Sequence, residues 1–177
     1  MSTRLRLGLF VLACATQLAA AGLGIARHER ALRLGATYRF EAAPIDPVDL
    51  MRGHYVQLSF VAERSSLPLP ADMQDGQAYA LLGVDERGFA KVAALSATPP
   101  ANGDYVRVTA YSAFRPDAEG SRLQFPFDRF YVEESKAPDL ERRYREQTSS
   151  PNAKPAYAIV HVLEGLAVLD DLHFEDE

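Results

Sequence analysis

The chain has 177 residues, 47% apolar and 24% charged, which suits about one globular domain with some length left for an anchor and argues against a disordered or fibrous protein. All 24 acidic residues but only 17 of the 19 basic ones lie beyond residue 26, so that portion carries a net charge of −7 and lacks the basic footprint of a nucleic-acid binder. The single cysteine, Cys14, sits in the apolar N-terminal stretch, leaving the remainder without a disulfide or a thiolate metal site.

Leu7 to Ala26 runs for 20 residues without a formal charge. A helix of that length spans roughly 30 Å, the thickness of a bilayer core. Three readings compete: a permanent anchor, a signal peptide cleaved near Ala19-Ala20-Ala21, and a lipoprotein signal ending at Cys14. The anchor is preferred, because apolar character continues past the cleavage point to Ile25. Arg4 and Arg6 precede the span, whereas Arg27, Arg30 and Arg33 follow it with Glu29 between them. The positive-inside count is therefore nearly balanced. A short basic tail before an apolar run reads as an export signal, so the C-terminal domain is expected outside the cytoplasm.

The domain reading is then a basic tail at 1–6, a transmembrane anchor at 7–26, a juxtamembrane segment at 27–35 and a β-rich domain at 36–177. Ala26 to Leu34 extends the helix, and Gly35 ends it. Ala36 to Ala42 alternates, with Tyr38 and Phe40 on one face and Thr37, Arg39 and Glu41 on the other. Pro44 and Pro47 break the ladder, Asp49 to Gly53 turns the chain, and Tyr55 to Phe60 alternates again as a strand. Ser65 to Gly76 is a loop. Gln77 to Val84 and Phe89 to Leu95 form a hairpin across Asp85-Glu-Arg-Gly88. A strand over Asp104–Phe114, a turn at Asp117–Gly120 and a strand over Arg122–Glu134 broken by Pro126 follow. Asp139 to Gln147 is a helix with Leu140 and Tyr144 on one face. Ala156–Leu163 and Ala167–Phe174 pair across Glu164-Gly165. About eight short strands and one short helix describe a compact antiparallel β-rich domain, barrel-like or sandwich-like.

Gly53-His-Tyr-Val is echoed fifty residues on by Gly103-Asp-Tyr-Val. Because the flanks differ, the echo reads as one way of starting a strand used twice rather than as a duplication.

The run from Gly35 through Pro44-Ile-Asp-Pro-Val-Asp-Leu-Met-Arg-Gly-His-Tyr-Val-Gln-Leu-Ser-Phe60 resembles the signature of the GDYXXLXY family of bacterial membrane-anchored proteins. Its motif maps onto Gly53, Tyr55, Leu58 and Phe60, with His54 in place of the aspartate and Phe60 in place of the final tyrosine. Arg129-Phe-Tyr-Val-Glu-Glu134, leading to Leu140-Glu141, resembles the family's second signature. The resemblance covers essentially the whole chain. It brings no assigned activity and implies an accessory role beside multi-span membrane proteins, next to which such proteins tend to be encoded.

Asp46, Asp49 and Arg52 around Gly53 form the first candidate constellation. Two carboxylates fall short of a cation site, and Asp in a turn is ordinarily satisfied by nearby amides. Glu134, aligned with the family's glutamate, lies on the apolar face of its strand with Phe130 and Val132, opposite Arg129 and Tyr131. It is expected in an internal ion pair, with Arg52 as a partner. His28, His54, His161 and His173 share no metal-ligand spacing, and no cofactor motif is legible. The expectation is a single-pass protein of the bacterial inner membrane, anchored in the bilayer, with a non-enzymatic periplasmic module for a partner such as a multi-span membrane protein. Asp46, Asp49, Arg52, Gly53, Tyr55, Leu58, Arg129, Glu134 and Glu141 mark its signature. The alternative is a hydrolase-like enzyme using Asp46, Asp49 and Glu134.

Overall fold

The computed structural model describes residues 3–43, 55–70, 76–112, 120–131, 139, 142–144, 146 and 155–174. The first element, α1 (Thr3–Leu34), is a single helix of 32 residues. Its apolar window is wholly exposed, with Leu7, Phe10 and Leu18 among the uncovered side chains. By length and composition this helix can cross a membrane, and a signal sequence passes the same test. The helix continues past the charge-free run, as the residues after Ala26 suggest, until the Gly35 amide donates to the Ala31 carbonyl at 2.9 Å. Gly35 is required by space: an added Cβ would lie 2.4 Å from the Ala31 oxygen and 3.1 Å from the Val162 backbone.

Ten strands follow among the described residues: β1 (Ala36–Glu41), β2 (Tyr55–Gln57), β3 (Arg64–Ser65), β4 (Gly76–Val84), β5 (Ala90–Ser96), β6 (Tyr105–Ser112), β7 (Ser121–Gln124), β8 (Arg129–Tyr131), β9 (Tyr157–Leu163) and β10 (Leu166–His173). A 3₁₀ turn, η1 (Val61–Glu63), lies between β2 and β3. The hydrogen-bonded orders are β1-β9-β10, β2-β8 and β3-β7-β6-β4-β5, all antiparallel. Isolated bridges join them, Ala42 to Phe60 and Val106 to Gly165, and the arrangement includes a half-barrel.

The sequence reading expects about eight strands. The two extra ones arise where tertiary pairing overrides local pattern. Polar Arg64-Ser65 becomes β3 by pairing with β7, and the Arg122–Glu134 run is split into β7 and β8 by a turn at Pro126-Phe127. Elsewhere the turn chemistry decides the hairpins as expected. Glu164 and Gly165 both adopt positive φ (51° and 84°), the geometry whose twist matches a two-residue hairpin between β9 and β10. In the β4–β5 turn, Asp85 Oδ1 accepts from the amides of Arg87 (2.9 Å) and Phe89 (2.8 Å). Arg87 from this turn binds the Glu41 carboxylate through both oxygens, tying the hairpin to β1. Of the two echoed segments, Gly103-Asp-Tyr-Val leads into β6, which is paired on both sides, whereas β2 pairs with β8.

Alternation along β1 buries Phe40 completely, and the same alternation beyond β2 buries Leu58 and Phe60. Phe125 and Phe127 flank the Pro126 turn and complete the centre. Phe40 lies 5.6 Å from Phe60, 5.2 Å from Phe125 and 5.0 Å from Phe127, each edge to face, the favoured geometry for aromatic rings. Ala78, Ala80, Val106, Val108, Ala110, Val160 and Val162 fill the space around them.

Candidate functional site

Two segments about 70 residues apart, one around Tyr55 and one around Arg129, meet in the fold. In β2 and β8, Tyr55 faces Tyr131, Val56 faces Phe130 and Gln57 faces Arg129. The pairing continues one step further, where the Leu58 amide donates to the Asp128 carbonyl at 2.8 Å. Period-2 alternation then sends Leu58 into the core and leaves Arg129 and Tyr131 exposed, with Phe130 half-buried against the core. Arg129 Nε lies 3.7 Å from Asp128 Oδ1. Leu58 is therefore a packing residue, and Tyr55 enters through its backbone pairing. Asp46, Asp49, Arg52, Gly53, Glu134 and Glu141 lie outside the described residues, as does the expected Arg52–Glu134 pair.

What the strand pair does assemble is a small polar group that pattern reading did not single out. Tyr144 is helical, as are Asp139, Arg142, Arg143 and Glu146, in agreement with the helix expected over this stretch. Its ring is buried to 2% exposure, and its hydroxyl lies 2.8 Å from the Ala43 carbonyl, 3.2 Å from the Ser59 carbonyl and 3.2 Å from the Ser59 amide, which donates to it. The Ala43 amide in turn donates to the Ser59 carbonyl at 2.8 Å. One phenol thus ties the end of β1, the segment after β2 and the helix together. Burial raises its pKa far above the ordinary value, and the charge of Glu63 adds to that while the Ser59 backbone opposes it.

Glu63 is the second member. Ser59 Oγ donates to its Oε2 at 2.8 Å, and the half-buried carboxyl is held above the usual range by desolvation. The Ser59 hydroxyl, the Phe60 backbone and the charge of Arg122 pull the other way, and Asp128 adds a smaller upward push. The alternation does place Ser59 opposite Leu58 and Phe60. Glu63 could not be placed, because it lies just past the Tyr55–Phe60 alternation, in a segment that folds as η1. A carboxyl of this kind can hold a proton beside a hydroxyl. Tyr144, engaged on backbone groups, is a structural tie.

A further line, Thr37–His161–Asp170, crosses β1, β9 and β10. Its separations are 3.4 Å and 3.3 Å, and Asp170 is turned onto the His161 side by a bulge between Leu169 and Asp171. These lengths across an exposed sheet face mark cross-strand pairing. Among the described residues, no three His, Cys, Asp or Glu side chains converge in a metal-holding set.

The Glu63 environment sets a pH dependence. Its folded pKa lies above the unfolded value of 4.5, so its stabilising contribution is complete below that value and is lost as pH rises through the folded pKa. Glu63→Gln keeps an acceptor for Ser59 and removes the charge. The variant's melting temperature minus that of the wild type is therefore expected to grow more positive as pH rises from about 4.5 toward neutrality. A difference that shrinks over that range, measured by thermal unfolding at stepped pH, would contradict this assignment.

In comparisons with known proteins, the sequence model of the GDYXXLXY protein matches residues 17–172. No curated protein and no solved structure matches the chain.

Proposed function

This chain belongs to the GDYXXLXY family, and from that premise we propose that it is a single-pass protein of the bacterial inner membrane whose β-rich domain faces the periplasm. The domain works there as a non-enzymatic accessory module docked to a membrane partner. One observation carries this reading. The described signature groups serve architecture, with β2 paired on β8 and Leu58 in the core, and the neighbouring Tyr144 is likewise held on the backbone of Ala43 and Ser59. The bare apolar length of α1 supports the anchor, since an uncovered run of this kind is costly in water and favourable in hydrocarbon.

A second reading rests on Glu63. A half-buried carboxyl with raised proton affinity beside the signature strands is a feature of acid–base sites as well as of structural networks. That reading accords with the alternative of a hydrolase-like enzyme using Asp46, Asp49 and Glu134.

Site-specific photocrosslinking from Tyr131, whose side chain is 70% exposed on β8, separates the two in native membranes. The accessory reading expects one integral membrane protein to be captured reproducibly, with the adduct lost when the β2–β8 pair is disrupted. It also expects alkaline phosphatase fused after Glu177 to be active and the protein to resist carbonate extraction. An inactive fusion overturns the periplasmic placement. Loss of function in Asp46→Asn or Glu134→Gln, with capture and folding intact, would instead favour the enzyme.

A further inference from the structure

We propose that the stretch of α1 from Arg27 to Arg33 is a docking collar for the phosphates of lipid headgroups in the leaflet on the domain's side. The inference rests on the reading of Leu7–Ala26 as a membrane span. Charge points to the occupant. Residues 27–34 carry three arginines against Glu29 alone, whereas residues 35–177 carry 14 basic and 23 acidic residues. A positive ring therefore sits at the foot of a domain that an anionic bilayer surface would repel.

Geometry places that ring at headgroup depth. At 3.6 residues per turn, positions 27, 30 and 33 fall within an arc of roughly 120° on one side of the helix. All three side chains are exposed. Ala31 is completely buried against the domain, so the ring is built onto the fold rather than hung on a linker. Arg30 lies four residues beyond Ala26, about 6 Å along the axis. It pairs at 3.4 Å with Glu164 at the β9–β10 tip, which puts that hairpin at the same depth. The pairs Arg30–Glu164 and Arg33–Glu29 have side-chain exposures of 57%/71% and 78%/54%, and such open pairs yield readily to a competing anion. A phosphate offers each guanidinium a bidentate partner. Because Gly35 is wedged against Val162, a grip on the headgroups also sets the tilt of the domain on the membrane.

The test is the lipid selectivity of the full chain reconstituted in phosphatidylcholine vesicles, read by electron paramagnetic resonance with spin-labelled phosphatidylglycerol and phosphatidylcholine. The wild type is compared with Arg27→Gln/Arg30→Gln/Arg33→Gln; Arg4 and Arg6 are common to both and cancel. The association constant for phosphatidylglycerol relative to phosphatidylcholine is expected to be about fivefold higher in the wild type at low salt, and the difference is expected to collapse near 1 M salt. Equal selectivity in the two proteins overturns the collar and leaves the arginines to an acidic protein partner. If neither protein immobilises either lipid, the span reading itself has failed, and the two failures are thus told apart.

Discussion

Phe40→Ala is expected to cost about 3–5 kcal/mol, a large share of a total stability on the order of 5–15 kcal/mol. The ring is completely buried and stands edge to face with Phe60, Phe125 and Phe127. Those partners come from the segment after β2 and from the β7–β8 connection, so one truncation loosens all three hydrogen-bonded sheets where they converge. The surroundings are largely valine and alanine, which are too short to fill the void. Thermal unfolding of the full chain in detergent, with near-ultraviolet circular dichroism as a second probe, measures the loss. Phe40→Leu retains most of the volume and should lose clearly less. Equal losses for the two substitutions would mean that aromatic geometry, rather than filled volume, dominates this site.

Tyr144→Phe carries the second large effect. The substitution keeps the ring and removes one oxygen, so the core volume is unchanged. What it strands are the Ala43 carbonyl and the Ser59 amide, bonded to the phenol at 2.8 Å and 3.2 Å. Each buried polar group left without a partner costs about 1–3 kcal/mol, giving an expected loss of about 2–4 kcal/mol in all. Amide hydrogen exchange localises it: Ser59 should exchange faster, while the β4–β6 amides in the other sheet keep their protection. A loss near zero would show that the hydroxyl is not holding β1, β2 and the helix together. That outcome would move Tyr144 from structural tie to a group available for chemistry and strengthen the enzyme reading. Glu63 should follow, since its charge and the phenol influence one another.

Several elements could be read because their causes are local. The apolar length of residues 7–26, the alternation around Phe40, the Asp85–Gly88 turn and the Glu164-Gly165 hairpin each depend on a few neighbouring residues and one periodicity. The nature of Leu58 as a core residue follows from the same alternation. Family membership was equally legible from the two motifs in order. The polar group was not. Ser59, Glu63 and Tyr144 are meaningful only once Tyr144 is brought against the backbone of Ala43 and Ser59, and no spacing in the chain announces that.

By itself, then, the sequence determined an apolar helix, an acidic β-rich domain and the positions of its main turns, because periodicity and turn chemistry act over a few residues. The tertiary structure alone decided that segments around Tyr55 and Arg129 become neighbours, that Arg64-Ser65 is a strand, and that Glu63 lies half-buried beside a phenol. Those outcomes depend on long-range pairing and on which groups lose water together. Desolvation is a property of the packed neighbourhood and leaves no mark on the order of the residues.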